Sequence, residues 1–225
     1  MEEQNSHINR IRNAGLRGYQ MQPMAYFNRA INLVKMHWGP FAVYTLIYFS
    51  FLFLVYRLGE NGSFLQLLLS GPLNAGYYLS IHRLVNNAPF RFENFFDGFR
   101  IYFATMAVGM VSMFLTSLGM MLFILPGLLI SLSLIFSLPL VVFAELDLIN
   151  ALRSSTQIVW KQFWDMAKFG GMIFVLNIAG AMALGIGLLF TLPVTFAAIY
   201  FAYDDIIGIN VEQEEPAKTD LSHFR

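Results

Sequence analysis

Charged side chains follow three of the long apolar runs in this sequence, and they are the first groups whose type and position suggest chemistry. These six residues are Glu145 and Asp147, Asp204 and Asp205, and His82 and Arg83. If the apolar runs pack around a common axis, acids and bases meet at one mouth of the bundle and either pair or hold a cation. Alternatively they mark the membrane interface, because a charge deeper in a bilayer costs on the order of 3 kcal/mol.

Two amide side chains and three prolines lie inside the apolar runs. Asn74 and Asn177 either contact a substrate or form hydrogen bonds between helices. Pro72, Pro126 and Pro193 each remove a backbone hydrogen bond, which lipid tolerates only where neighbouring groups satisfy the freed carbonyls. We predict a kink at each proline. Such breaks line binding sites in transporters, whereas elsewhere they only bend a packed helix.

The sequence lacks the residue patterns of the common catalytic and metal sites. Its four histidines form no His-x-x-x-His or Glu-x-x-His pair, and it contains no cysteine, so zinc, di-iron and thiol chemistry are not expected. It also has no phosphate-binding glycine loop and no Gly-x-Ser-x-Gly motif. We therefore expect a protein that is not an enzyme and carries no cofactor or metal.

The composition places these residues in a membrane protein. Hydrophobic residues make up 57% of the 225 residues and charged residues only 12%, about half the usual fraction of a soluble domain. The formal net charge is zero, so no overall field attracts nucleic acid. Membrane lipids are the expected partners, together with other membrane proteins or further copies of the chain.

Six apolar runs are long enough to cross about 30 Å of hydrocarbon, which takes about 20 helical residues. The predicted spans cover residues 40–56, 64–85, 101–119, 120–144, 167–184 and 188–203. Residues 101–144 contain no charged residue and must form two spans, because one helix of that length would measure about 66 Å. The chain thus divides into a polar N-terminal segment (1–18), a six-helix membrane domain (19–209) and a polar tail predicted to be disordered (210–225).

The basic residues predict the orientation, since lysine and arginine concentrate on the cytoplasmic side. With the N-terminus inside, every one of the 14 basic residues except Arg57 falls on the cytoplasmic side. Both termini are therefore expected in the cytoplasm.

Three stretches on the cytoplasmic side show helical amphipathicity. The first places Phe27, Ile31 and Val34 on one face, and the second contains the run Phe92, Phe95, Phe96 and Phe99. The third places Leu148, Leu152, Val159 and Phe163 opposite Arg153 and Lys161. We predict that all three helices lie in the headgroup plane, with Trp38, Trp160 and Trp164 at the depth that indoles prefer.

The pieces repeat three times in the same order. Each unit comprises an amphipathic helix, a span, an outer turn with glycine, and a second span bent by proline; Gly62, Gly119 and Gly185 mark the three turns. The fold class expected is thus an all-α membrane protein of three proline-bent hairpins with three cytoplasmic interfacial helices. Parallel repeats of this kind predict a rough threefold pseudo-symmetry about the membrane normal.

A family resemblance supports this topology. The order of Phe95-Phe96-Asp97-Gly98-Phe99, then LFILPGLLISLSLIFSLPLVVF (122–143), then ALRSSTQIVWKQFW (151–164) resembles a broad, poorly characterised group of bacterial six-helix membrane proteins. The membrane domain attached to some glycerophosphoryl diester phosphodiesterases is also similar. The resemblance implies a bacterial cytoplasmic (inner) membrane location and supplies no catalytic residues. Since no hydrolase domain accompanies these segments, no phosphodiesterase activity is expected.

Two functions are compatible with these features. The first is a non-enzymatic role by association, as a scaffold or accessory subunit of a membrane complex or as a lipid-organising element. The second is a small transporter or channel that uses the polar groups at its cytoplasmic mouth. The presence or absence of a polar cavity along the axis distinguishes them.

Overall fold

A computed structural model describes residues 19–183 and 185–209, apart from the side chains of residues 60 and 61, and every regular element in these ranges is helical. The polar N-terminal segment (1–18) and the tail (210–225) lie outside the described residues. Within the described ranges, a 3-10 helix, Phe92–Ile101, accompanies nine α-helices. These are α1 (Pro23–Met36), α2 (Trp38–Arg57), α3 (Glu60–Val85), α4 (Tyr102–Leu122), α5 (Ile124–Ser133), α6 (Ser137–Phe143), α7 (Leu148–Lys161), α8 (Phe163–Met182) and α9 (Leu188–Ile206).

Among the described residues, five helical segments are long and apolar enough to cross a membrane, so the chain has the character of a multi-pass membrane protein. They are Trp38–Arg57, Phe92–Leu122, Ile124–Phe143, Phe163–Met182 and Leu188–Ile206. The run predicted at residues 64–85 is also helical and lies within α3, but α3 is not one of the five. Gln66, Ser70 and Asn74 place polar groups along one of its faces, which reduces its hydropathy.

Consecutive long helices pack as three pairs. Hairpin 1 consists of α2 and α3, hairpin 2 of α4 with α5 and α6, and hairpin 3 of α8 and α9. The second members of the pairs meet at the centre, since α3 contacts both α6 and α9. Helix α9 is the most enclosed of the five candidate spans, with ten of its 19 residues buried.

The three amphipathic segments link the hairpins in a ring. Each packs on the second helix of the preceding hairpin: the 3-10 helix on α3, α7 on α5 and α6, and α1 on α9. Because α1 comes from the start of the chain and α9 from the end, this last contact closes the ring. A threefold arrangement of repeated units requires such a closure.

Much of the apolar surface of the amphipathic segments is covered by protein. Helix α1 buries Tyr26, Phe27, Ala30, Leu33 and Val34, and α7 buries Ala151, Ser155, Ile158 and Val159. The hydrophobic periodicity therefore reflects tertiary packing as well as any contact with lipid. Residues at the margins of these helices still face outward, including Ile149 and Trp160.

The 3-10 helix contacts α3 through two glycines, which explains the Phe-Asp-Gly-Phe sequence. A side chain at Gly98 would overlap the carbonyl oxygen of Pro72, and one at Gly76 would overlap that of Phe95. This close approach lets the buried Phe95 ring stack on Tyr44, with centroids 4.3 Å apart.

The chain reverses near the three predicted turns, but two of the three glycines expected to mark them lie inside helices, Gly62 in α3 and Gly119 in α4. Gly185 has φ +75° between α8 and α9, as expected for the third turn, and α2 ends two residues before Gly59 at φ +59°. The second reversal lies at Phe123 rather than at Gly119, which remains inside α4. A side chain at Gly119 would approach the Gly127 Cα to 2.9 Å, so this glycine serves close packing of α4 on α5.

The prolines differ in their effect on the helices. Pro72 and Pro193 lie inside α3 and α9, as predicted. The kink predicted at Pro126 is wrong: this residue is the third of α5, where the missing N–H has no helical acceptor to lose. The break in this hairpin instead separates α5 from α6, and Pro139 follows it at the third position of α6. A proline there cannot bond to the carbonyl four residues earlier, which favours a break before it.

Candidate functional site

The centre of the bundle, where a pore was one expectation, is filled by ring side chains. His82 of α3, Phe143 of α6 and Tyr200 of α9 contact one another, with centroids 5.2 Å apart for His82 and Phe143 and 5.7 Å for Phe143 and Tyr200. His82 Nδ1 lies 2.9 Å from the Tyr200 hydroxyl, at hydrogen-bond distance. One residue from each hairpin thus occupies the axis.

A second layer of rings packs beside the first. Tyr77 stacks on Phe196 with centroids 4.4 Å apart, and Tyr203 packs against Phe136 and Phe143. Tyr77, Phe136 and Tyr203 are fully buried. The second helices are therefore held together by aromatic contacts at the centre.

The acidic residues at the C-terminal end of α9 are engaged separately. Asp205 accepts a hydrogen bond from the Tyr26 hydroxyl, which joins α9 to α1, and Asp204 accepts one from the backbone N–H of Ile209 at 3.1 Å. Burial and the bond to Asp205 raise the pKa of Tyr26 to about 12, so this phenol stays protonated at physiological pH. These carboxylates stabilise the end of α9.

The other acidic pair lies between α6 and α7. Asp147 caps α7 by accepting from the backbone N–H of Asn150 at 3.4 Å, and the Asn150 side chain also donates to it. The side-chain bond from Asn150 lowers the pKa of the Asp147 carboxyl. Glu145 is exposed and has φ +51° in the turn before α7. Across residues 19–183 and 185–209, no group of three acidic or histidine side chains has the geometry of a metal site.

His82 and Arg83 point to different partners despite being neighbours. His82 faces the axis, whereas the Arg83 guanidinium pairs with Asp97 of the 3-10 helix at 3.2 Å. Asp97 also binds Arg100 at 3.1 Å and accepts from Asn94 at 2.9 Å. Arg83 therefore pairs with Asp97, which the sequence analysis did not single out, and not with any of the four acids predicted to meet it at the mouth of the bundle.

Asn177 links the two helices of hairpin 3. Its amide nitrogen donates to the Thr195 hydroxyl at 2.8 Å and to the Ile173 carbonyl at 2.9 Å, and its oxygen accepts from the Thr191 hydroxyl at 3.2 Å. Of the two explanations for this residue, the hydrogen bond between helices accounts for both ends of the amide.

The break between α5 and α6 is held by a serine from α7. The Ser155 hydroxyl donates to the Ser133 carbonyl at 2.7 Å and accepts from the Phe136 N–H at 3.2 Å. The Trp160 indole then donates to the Ser133 hydroxyl at 3.0 Å. Two backbone groups freed by the break therefore find partners in the next unit, as apolar surroundings require.

An open cavity of about 370 Å³, lined by both polar and apolar groups, lies between hairpins 1 and 2. It extends from residues near the outer turns, such as Gln66 and Thr116, to Asn74 and Leu138 halfway along their helices. Eight hydroxyl or amide side chains line it: Tyr48, Gln66, Ser70, Asn74, Ser112, Thr116, Ser117 and Ser131. Val108, Met113, Leu134 and Leu138 supply its apolar part. None of these described lining side chains carries a formal charge.

Two polar atoms in the cavity wall are buried without a partner. The Ser70 hydroxyl, on a residue only 8% exposed, and the Asn74 side-chain oxygen form no hydrogen bond with the described part of the chain. An unsatisfied buried polar group costs about 1–3 kcal/mol, so these two atoms need a partner from outside the chain.

The sequence contained a signal for this cavity. Gln66, Ser70 and Asn74 are spaced four residues apart and therefore share one face of α3. A polar face within a predicted span indicates a surface that does not contact lipid chains. Ser155 gives no such signal, because a serine in an amphipathic helix is ordinary and its partners lie about 20 residues earlier in the chain.

The described residues form an all-helical fold with the character of a multi-pass membrane protein. Aromatic side chains fill its centre, and its cavity lies to one side, between hairpins 1 and 2. No protein-family model matches the chain, and comparisons with curated proteins and with solved structures found no match.

Proposed function

We propose that this protein is a non-enzymatic, six-helix protein of the bacterial inner membrane that acts by association, as a lipid-organising element or as an accessory subunit of a membrane complex. In this proposal α3 is the sixth span, and both termini lie in the cytoplasm. The basic residues and the resemblance to bacterial six-helix membrane proteins support this location and orientation.

The filled axis is the observation that carries the proposal. His82, Phe143 and Tyr200 occupy the centre where three hairpins would have to separate to form a symmetric pore. The acids expected at its mouth are engaged in a cap, in helix-end hydrogen bonds or in exposed turns. A bundle whose centre is filled by side chains favours a function carried by its outer surface over conduction along its axis.

That outer surface is suited to lipid. Large apolar side chains on the peripheral helices face outward, among them Phe53 on α2, Phe103 on α4 and Val175 on α8, each at least 66% exposed. Trp160 and Trp164 are 53% and 76% exposed near the junction of α7 and α8. Lys161 and Lys168 lie close by in the sequence, and together these residues favour placing the junction at the cytoplasmic headgroups.

Extraction of the tagged protein in native nanodiscs tests the proposal. The lipids and proteins extracted with it are compared with those extracted with a helical membrane protein of similar size. We expect enrichment of particular lipids or a stoichiometric partner protein, and an altered membrane composition in a deletion strain. A protein extracted alone, with bulk lipids and with no change on deletion, refutes the proposal.

Transport of a small neutral solute is the second proposal, and the cavity is the observation that favours it. The cavity adjoins the break between α5 and α6, and discontinuous helices beside a cavity are a common feature of transporters. Proteoliposomes should then take up labelled glycerol faster than protein-free vesicles, and Asn74→Leu should slow this uptake. Equal uptake with and without protein, for glycerol and for a panel of neutral sugars, contradicts transport.

A further inference from the structure

The cavity between hairpins 1 and 2 contains unpaired polar atoms that are free to bind a ligand. Ser70 and Asn74 present a hydroxyl and an amide oxygen from α3, and both are among the buried polar atoms without a partner in the described part of the chain. Ser112 on α4 and Ser131 on α5 line the same space. Polar groups from three helices thus converge on one volume.

The volume and the lining together restrict the ligand. About 370 Å³ falls within the range of small-molecule sites, and it is large enough for one sugar ring or glycerol backbone. A charged group has no counter-charge among the described lining residues, and burying an uncompensated charge is costly. Hydroxyls and amides both donate and accept hydrogen bonds, so they match a group that also does both.

The surroundings of the cavity favour a ligand with acyl chains. Phe114, Leu115 and Leu118 are exposed on the same turns of α4 that contribute Ser112 and Thr116 to the cavity wall. A lipid could therefore place its headgroup among the hydroxyls and its chains along this apolar surface. A free polyol would use only the polar part.

We propose that this cavity binds a neutral, hydroxyl-bearing group, such as a glycosyl or glycerol headgroup, through Asn74 and Ser70 on one wall and Ser112 on the other. The Asn74 oxygen accepts a hydrogen bond from a ligand hydroxyl. This site would give the proposed association with lipids a specific headgroup. It rests on the proposed function only in requiring that the protein lies in a membrane.

Native mass spectrometry of the full chain in a detergent without sugar groups tests the site. The probes are dioleoyl monoglucosyl glycerol, dioleoyl phosphatidylglycerol and free methyl glucoside. We expect retention of the glucosyl lipid over phosphatidylglycerol and a three- to tenfold weaker Kd for Asn74→Leu, as the loss of one or two hydrogen bonds predicts. Ser50→Ala is the matched control, because this exposed hydroxyl bonds only to Leu46 of its own helix.

Ser112→Leu provides a second variant that fills the cavity from the opposite wall if Asn74→Leu does not fold. Binding of methyl glucoside that is equally sensitive to the variants supports the same site with a free polyol as the ligand. Retention of neither neutral probe refutes the site, and so does equal retention of phosphatidylglycerol or equal binding by wild type and both variants. A variant that inserts normally but no longer retains the glucosyl lipid supports the cavity site. The proposed function is tested separately, by the nanodisc experiment.

Discussion

Removal of the Ser155 hydroxyl tests whether the break between α5 and α6 depends on α7. Ser155 is fully buried and forms two hydrogen bonds with this break, at 2.7 Å to the Ser133 carbonyl and at 3.2 Å from the Phe136 N–H. Ser155→Ala leaves both backbone groups without this partner while changing the packing volume little. The variant therefore isolates the polar contribution.

The magnitude follows from those two bonds. Hydrogen bonds between helices in membrane proteins contribute about 0.6 kcal/mol on average and about 1.7 kcal/mol at most. Two of them, both to buried backbone groups, predict a loss of about 1–3 kcal/mol in the free energy of unfolding. Trp160→Phe should cost less, about 1 kcal/mol, because it removes one hydrogen bond to Ser133 and leaves a ring that can stack on Phe163.

Unfolding in mixed micelles, with a denaturing detergent as titrant, measures these differences. Ser50→Ala again serves as the control and should change the free energy of unfolding by less than about 0.5 kcal/mol. If Ser155→Ala is as stable as this control, the break does not depend on α7. The freed backbone groups of this hairpin would then not depend on partners from the next unit.

Two further perturbations test the helix crossing and the helix cap. Gly71→Ala should lower the free energy of unfolding by about 1–3 kcal/mol in the same assay, because its methyl group would overlap the Thr105 carbonyl oxygen. Gly171→Ala, with nothing within 4 Å of the added carbon, should be neutral or stabilising, and similar losses for both variants would contradict the close packing of α3 on α4. Asp147 has a lowered pKa in the fold, so its contribution to stability is present above the ordinary aspartate pKa of about 3.9 and is lost as the pH falls below that value. The hydrogen-exchange protection factor at the start of α7, which corrects for the intrinsic pH dependence of amide exchange, should therefore fall on acidification in the wild type and depend less on pH in Asp147→Asn. Equal pH dependence of the two protection factors would show that the carboxylate is not the cap.

The helical character and the apolar helices were predictable because both depend on local sequence. A run of about 20 apolar residues indicates a candidate span whatever its neighbours are, and five such segments are present. The amphipathic periodicity likewise indicated helical segments, and α1 and α7 are helices. The apolar face of α1 is buried against α9, however, and that contact depends on closure of the ring by residues far apart in the chain.

The partners of individual polar side chains were decided by the tertiary structure alone. Asn74 and Asn177 are the same residue type in similar surroundings, yet Asn177 is satisfied by its neighbouring helix while the Asn74 oxygen faces a cavity. Likewise Pro126 falls in a first helical turn, whereas Pro139 follows the break. Periodicity places a residue on a face of its helix, but the helix opposite that face is set by non-local packing. His82 and Tyr200 meet at the axis across 118 positions of sequence, and only the folded chain determines that contact.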